Sequence, residues 1–520
     1  MDQTSINRRN LVKVAAGGVA LAGGLGSASG AFAQGATPAI GGSSASGELV
    51  IGKALEAVGY DPAIVTATSS IDLLSVVYER LVRFDDAGQP QPELAESWDD
   101  PDELTWVFTL REGVTFHNGQ PLTAEDVKFT FDRIIDPATA SAWSTQFEPV
   151  ASIEATDERT VTFTLKTPYG PFLATLSAAF SSILPKTTEA IDFTSTMVGT
   201  GAFALQEVQA DTQTTLTAHP GYWEPETPKL ATLIYRILPD EPGRLAAIRT
   251  GEIGLTTLAD PVSVGSATSS EGVVVLEQDT TDYYLLGFNC KRAPFDTVEV
   301  RQALSKAIDR QAIVDAVFFG NGQVTGPLVP TLGDWAQPVD ALPNYAVSTD
   351  EATSMLEAAG QSGLTFRILV GQLYPEFVAI ALVIQDQLKQ IGVTAELEQV
   401  EWATFIERWI ARDFDAFVSF NGSGNDPDRA LYPAFYTDAS VNAFQFSDPK
   451  ADELLDTGRT TVDPAARKTT YQELETVIAE AAPAVFVSTR TAYFATRDTV
   501  SGFAPSSSQT WATLKETTVS

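Results

Sequence analysis

Apolar residues occupy every second position of 104–110 and again of 161–165. This spacing predicts two β-strands, each with one face turned to the core. Between them, Thr123 and Asp126 have the spacing of a capping box, and apolar residues at helical spacing follow over 127–135. We therefore predict that a capped amphipathic helix separates the two strands.

The same alternation of helix and strand patterns continues through the second half of the chain. An apolar stripe over 300–308 predicts one helix, and Asp309 is placed to cap the next. Residues 377–390 are helical by pattern, Gly392 closes that helix, and alternating residues over 393–397 begin a strand. Helix, short loop and strand in succession are typical of an α/β fold.

Composition and charge narrow the class of protein. The chain has 520 residues, of which 44% are hydrophobic, so it can fill two or three packed lobes. Asp and Glu total 67 against 33 Lys and Arg, a net charge of −34, which disfavours nucleic acid and anionic membranes as partners. We interpret this charge as a solubility feature rather than a sign of a cationic ligand. A single cysteine excludes an intrachain disulfide.

The N-terminus has the order of a secretory signal. An arginine pair at 8–9 precedes a mild apolar run over 14–26 and an A-x-A cleavage site at 31–33. We predict a twin-arginine-like signal peptide over 1–33, with Sec export as the alternative, and a flexible leader over 34–47. No cysteine directly follows the apolar run, so we expect export to the periplasm, or to the outer face of the cytoplasmic membrane, without a lipid anchor.

A series of motifs in fixed order is the most specific feature of the sequence. The longest run reads Tyr-Glu-Arg-Leu-Val-Arg-Phe at 78–84 and continues through Phe-His-Asn-Gly at 116–119 to the capped helix. Shorter matches follow at 199–203, 219–223, 245–253, 288–289, 300–310 and 426–428. With these motifs the chain resembles the extracellular solute-binding proteins of ABC importers, family 5, the peptide/nickel-binding type.

The resemblance implies an α/β, bilobal periplasmic-binding-protein fold in which two lobes are hinged and one carries an extra domain. We expect lobe I to comprise a core domain, formed by 48–75, 203–283 and 486–520, and the extra domain, formed by 76–202. Lobe II is expected to comprise 284–485. The ligand is then enclosed between the lobes, and permease subunits of the importer bind the closed form. The expected function is delivery of a peptide or similar small polar ligand by a monomer.

The family's pocket draws on the strand around 288–289 and on the segment that holds Asp-Pro, here 419–428. Its peptide binders often have Trp-x-x-Asp before Asp-Pro, and that Asp pairs with the peptide's α-amino group. This chain has Phe420 and Ser423 at those two positions. A serine can bond an ammonium group but cannot neutralise it, so a sugar, an opine-like conjugate, a modified peptide or a metal complex stays an alternative ligand.

Aromatic and polar side chains near these segments are the candidate ligand-binding residues. The set comprises Tyr283, Asn289, Arg292, Tyr374, Trp402, Phe420, Asn421, Ser423, Asn425 and Asp426. Aromatic faces would supply contact area, and Arg292 could hold a carboxylate by paired hydrogen bonds. The alternatives are core packing for the aromatic residues, a surface ion pair for Arg292 and a loop-shaping role for Asp426.

The main rival class is a secreted hydrolase of a glycan or peptide. Such an enzyme needs a nucleophile with its base, a carboxylate pair or a metal cluster. The sequence has no G-x-S-x-G, no H-E-x-x-H and no Cys/His cluster, and its two histidines and three methionines disfavour bound nickel or haem. We therefore predict reversible binding without catalysis and without a cofactor. A role in sensing rather than transport stays an alternative.

Overall fold

The computed structural model describes residues 45–85, 88–187, 191–422, 424–439, 441–507 and 510–520. The predicted signal peptide and the leader up to residue 44 lie outside these ranges, as does Ser423.

Eighteen strands lie in the described ranges. They are β1 Glu48–Lys53, β2 Val82–Phe84, β3 Pro90–Pro92, β4 Ala95–Asp102, β5 Thr105–Leu110, β6 Val150–Ala155, β7 Thr160–Leu165, β8 Phe203–Gln209, β9 Gln213–Ala218, β10 Thr232–Ile237, β11 Leu255–Leu258, β12 Val273–Phe288, β13 Thr365–Gly371, β14 Thr394–Val400, β15 Ala416–Gly422, β16 Ala484–Arg497, β17 Val500–Ser501 and β18 Thr518–Val519.

Thirteen α-helices accompany these strands in the described part of the chain. They are α1 Thr68–Val77, α2 Ala124–Ile135, α3 Phe172–Leu176, α4 Glu241–Thr250, α5 Pro261–Thr268, α6 Val298–Ala307, α7 Arg310–Phe318, α8 Thr349–Ala358, α9 Pro375–Lys389, α10 Trp402–Ala411, α11 Pro427–Phe435, α12 Pro449–Thr460 and α13 Pro464–Ala481.

One ten-stranded sheet runs through the molecule in the order β14-β13-β15-β12-β16-β11-β1-β10-β9-β8. Its two long strands, β12 and β16, are antiparallel neighbours and connect the two halves of the sheet. The ladder between them shifts register twice, at Asp279/Tyr283 and at Tyr284/Leu285. Such irregularities bend a strand pair and increase its twist, so the two halves of the sheet differ in orientation where β12 and β16 join them.

The predicted helices form where the pattern placed them. Asp126 accepts a hydrogen bond from the backbone N–H of Thr123 at 2.8 Å, as expected for the capping box at the start of α2. Asp309 accepts from the N–H of Ala312 at 3.0 Å and so caps α7. The 377–390 prediction corresponds to α9, followed by β14, and the 300–308 stripe corresponds to α6.

A separate four-stranded antiparallel sheet, β4-β5-β7-β6, contains both strands predicted from period-two alternation. Phe108 of β5 and Phe163 of β7 are fully buried and meet edge to face at 5.7 Å between ring centroids. Phe131 of α2 packs on Phe163 at 5.2 Å, so the helix covers one face of this sheet. The polar residues of each strand then lie on the other face, which accounts for the alternation.

None of the helices within the described ranges is both long enough and apolar enough to cross a bilayer.

Candidate functional site

A cavity of about 420 Å³ lies where several distant parts of the chain meet. Its lining includes residues from 62–93, the segment 177–180, the start of α11 and the C-terminal segment 504–515. This volume is within the range usual for small-molecule sites. Residues so distant in sequence enclose one space, as expected of a site assembled between substructures rather than on a single element.

Direct contacts join α3 and its flanking residues to α11 and α12 beside the cavity. The side-chain amide of Asn425 donates to the hydroxyl of Ser177 at 3.3 Å. The backbone N–H of Gly170 donates to the carbonyl of Arg459 at 2.8 Å. A Cβ on Gly170 would lie 2.2 Å from the carbonyl oxygen of Thr461, so only glycine allows this approach.

Stacked aromatic rings form an apolar wall of the cavity. Trp143 and Phe180 lie 4.7 Å apart between centroids at an interplanar angle of 18°. The indole N–H of Trp143 donates to the carbonyl of Val65 at 3.3 Å, which fixes the ring's orientation. Val65, Ile71 and Leu74 extend the apolar lining. Part of any ligand here would therefore meet hydrocarbon and aromatic surface.

A buried ion pair lies at another part of the lining. Arg80 donates through Nε and Nη2 to the two carboxylate oxygens of Glu93, at 3.0 and 2.8 Å, and both residues are buried. The backbone N–H of Arg80 also donates to Glu93 at 2.9 Å. Paired geometry of this kind satisfies both groups internally, so they contribute no net charge to the cavity.

Three arginines and two aspartates cluster around the start of α11. Arg467 binds both oxygens of Asp426 at 2.9–3.0 Å, and Arg459 binds both oxygens of Asp428 at 2.8–3.0 Å. Arg429, the fifth member, lines the cavity and places its guanidinium over the ring of Phe180, 5.4 Å from the centroid. The cluster thus has one more cation than anions, and that cation is the one at the cavity.

Asn425 and Asp426, both predicted from the Asp-Pro segment, lie in different surroundings. Asn425 lines the cavity. Asp426 is 5% exposed, pairs with Arg467 and accepts from the N–H of Asp428 at 2.8 Å, so its side chain shapes the loop and caps α11. Ser423 lies outside the described residues.

Three of the predicted aromatic residues, Tyr374, Trp402 and Phe420, come together in a cluster on the β13–β15 side of the large sheet. Tyr374 contacts Trp402 and Phe420 at 5.2 and 5.5 Å between centroids. The guanidinium of Arg490 lies 5.1 Å from the ring centroid of Phe420. Tyr283 is fully buried, and its hydroxyl accepts from the amide of Asn421 at 3.5 Å. Tyr374 and Trp402 follow the parallel strands β13 and β14, whereas Phe420 and Asn421 lie within β15 and Tyr283 within β12. All five residues are outside the lining of the 420 Å³ cavity.

Asn289 and Arg292 lie away from the cavity. Asn289 is buried, and its amide donates to the backbone carbonyls of Arg412 and Phe414 at 3.1 and 3.2 Å. Arg292 pairs with Asp415 at 3.0 Å and with Asp413 at 3.3 Å. Both side chains thus have partners within the protein, and those of Arg292 are the ion pairs that the alternative reading of this residue anticipates.

Sequence reasoning missed several cavity residues. Arg429 follows directly after the Asp-Pro-Asp motif, one residue beyond the segment 419–428. The available signal was a basic residue next to two closely spaced aspartates. Trp143 and the 177–180 segment belong to a part of the chain far from the motifs of the binding segment, and nothing in their local sequence marks them.

Comparisons with known proteins agree with this architecture. The family model for bacterial extracellular solute-binding proteins, family 5 Middle, matches residues 89–442. The di/tripeptide-binding protein 1 of Pseudomonas aeruginosa is 29% identical over 479 residues, covering 86% of this chain and 89% of the relative.

Solved structures give the same result. HbpA2 from Haemophilus parasuis has a TM-score of 0.81 at 28% identity, covering 91% of this chain and 100% of that structure. AgaA from A. tumefaciens R10, solved with agropinic acid, has a TM-score of 0.75 at 28% identity, covering 91% and 99%. The fold is thus the bilobal α/β fold of periplasmic binding proteins, and the chain belongs to the family 5 bacterial extracellular solute-binding proteins.

Proposed function

We propose that this protein captures a short peptide or a similar small polar ligand in the 420 Å³ cavity and delivers it to an ABC importer. The observation that carries the proposal is the cavity itself, because its lining combines a stacked aromatic wall with a small number of polar groups. That combination is typical of sites that hold a small molecule in one orientation. The di/tripeptide-binding relative supports a peptide as the first class to test.

The proposed mechanism is capture by closure. In the division that we propose, residues 76–202 form an extra domain on lobe I, the core domain of lobe I comprises 48–75, 203–283 and 486–520, and lobe II comprises 284–485. Contacts such as Asn425 to Ser177 then join lobe II to the extra domain, and a ligand between them would stabilise the closed form. Importer permease subunits would bind that form of the monomer.

We further propose that the protein acts outside the cytoplasm, in the periplasm or at the outer face of the cytoplasmic membrane. The support is the signal pattern over 1–33, with its arginine pair, apolar run and A-x-A site. Export by the twin-arginine route without a lipid anchor follows from the same pattern. Binding without turnover is consistent with this role, and no cofactor is required.

A thermal-shift screen tests the ligand class. The purified mature protein is melted with di- to pentapeptides, oligosaccharides, an opine and Ni²⁺, because a ligand selective for the folded state raises the melting temperature. We expect a saturable rise with short peptides and recovery of the peptide unchanged in mass. A rise with sugars alone would contradict the peptide class, and a chemically altered product would contradict binding without turnover.

A further inference from the structure

Arg429 lines the cavity, and no acidic side chain of the described residues forms an ion pair with it. Its two acidic neighbours, Asp426 and Asp428, are each bound through both oxygens by another arginine. The contact that Arg429 does make is with the face of Phe180. Because burial lowers the pKa of a guanidinium only from a very high value, the group stays charged at neutral pH.

The other charged groups of the lining are compensated or lie at the rim. Glu93 is bound by Arg80, and Lys515 is paired with Glu224. Arg83 and Asp85 are exposed, and the carboxylate of Asp85 accepts hydrogen bonds from Gln89 and Gln91. The cavity therefore has a local positive charge in a protein whose net charge is −34.

We propose that Arg429 binds an anionic group of the ligand, and that the ligand is an acid whose apolar part lies against Phe180 and Trp143. This inference rests on the proposed function. An uncompensated cation in a partly desolvated site is costly unless an anion joins it, and a carboxylate matches the fork of guanidinium donors. A peptide with a free C-terminus has this chemistry.

The same arrangement leaves the amino end of such a peptide without a matching carboxylate in the cavity lining. Glu93 is neutralised by Arg80, and the oxygens of Asp85 are engaged by amides at the rim. We therefore expect recognition to depend on the acid and to tolerate a blocked amine. Near the Asp-Pro motif, the charged side chain that we expect to contact the ligand is therefore the cation of Arg429.

A panel of dipeptides of Ala, Leu and Phe tests this inference. Each dipeptide is prepared as the free acid and as the C-terminal amide, with the N-terminus free or acetylated, and affinities for the wild-type protein are measured by calorimetry. We expect the free acids to bind roughly 30-fold or more tightly than the amides, and acetylation to change affinity by less than that. Acids and amides of equal affinity would overturn the role of Arg429 and leave peptide binding intact. No binding by any member would overturn both proposals.

Variants test which side chain causes the preference for free acids over amides. We expect Arg429→Gln to remove the preference for acids over amides and Arg429→Lys to retain part of it, because lysine keeps the charge but not the fork. Lys389→Gln, at the exposed end of α9, removes the same charge elsewhere and should keep the preference. A preference that survives Arg429→Gln but disappears in Arg292→Gln would overturn the assignment. Melting each variant without peptide shows that it is folded. The comparison of acids with amides is made on the wild-type protein and does not depend on any variant.

Discussion

Glu79 is a buried carboxylate whose hydrogen-bond partners are all neutral. It accepts from the hydroxyls of Tyr222 at 2.7 Å and Thr200 at 2.9 Å and from the indole N–H of Trp223 at 3.0 Å. Burial, and then the nearby charge of Glu93, raise the pKa of Glu79 to about 7. Since an unfolded glutamate titrates near 4.5, the folded protein binds this proton more tightly than the unfolded chain.

The pH dependence of Glu79→Gln follows from that difference. The stabilisation that protonated Glu79 provides is complete below about pH 4 and is lost as pH rises through 7. We expect the unfolding free energy of the wild type, relative to Glu79→Gln, to fall by up to about 1.4 kcal/mol per pH unit between pH 5 and 7. Urea titrations across pH 5–8.5 measure this difference in unfolding free energy. Exposed Glu103→Gln serves as control, and a parallel course for Glu79→Gln and the wild type would contradict the assigned pKa.

Asp426 has a structural role that its substitution should reveal. Asp426→Asn leaves Arg467, which is 4% exposed, without its counterion, and removal of one member of a buried pair costs roughly 3–5 kcal/mol. Urea unfolding measures the loss. Asp132→Asn, which breaks the exposed pair with Lys128, should change stability by less than about 1 kcal/mol. Equal effects of the two substitutions would contradict the buried pair at Asp426.

At the scale of elements, the approach of Gly170 to α12 and α13 depends on the absence of a side chain. In Gly170→Ala the new methyl would meet the carbonyl of Thr461 and the guanidinium of Arg467, so the segments must separate. We expect a more open protein with weaker ligand binding. Small-angle scattering should detect a larger radius of gyration. Gly265→Ala, in α5 with open space around the new Cβ, is the matched control and should keep the wild-type radius. An unchanged radius in Gly170→Ala would show that this contact does not hold the segments together.

Elements with a one-sided apolar pattern were predictable, and elements shaped by distant contacts were not. The strands β5 and β7 and the helices α2, α6, α7 and α9 follow their local patterns, because each buries one face against a continuous core. In contrast, β12 is a 16-residue strand whose N-terminal half has no regular alternation. Its neighbours, β15 and β16, come from more than 100 residues further along the chain, so local sequence does not determine its length.

The candidate site was predictable only in part for the same reason. Asn425 was predicted because it adjoins a recognisable Asp-Pro motif, and it lies in the lining of the cavity where we propose that the ligand binds. Asn289 and Arg292 adjoin the motif at 288–289 equally closely, but the strand geometry turns them to the backbone of 412–414 and to surface carboxylates. Whether a polar side chain faces a cavity depends on which distant segment lies opposite, and no local pattern records that.

At the scale of the whole molecule, two concavities could admit a ligand. A second concavity, of about 650 Å³, is lined by residues such as Cys290, Arg301, Gln445 and Glu480, close to the predicted Asn289. The 420 Å³ cavity differs in that Asn425, whose amide donates to Ser177, lines it together with Ser177, and that Arg429 faces it beside the ring of Phe180. Ligand binding there would connect the distant parts of the chain that surround it.

Hydrogen–deuterium exchange with the peptide that binds most tightly is the most direct test of this location. We expect slower amide exchange in 177–180 and 424–429, which line the cavity, and at Gly170, whose N–H donates across the contact. Ligand-dependent closure should protect all three together. Protection confined to 289–302 and 445–450, around the second concavity, would contradict the central claim that the ligand binds beside Arg429.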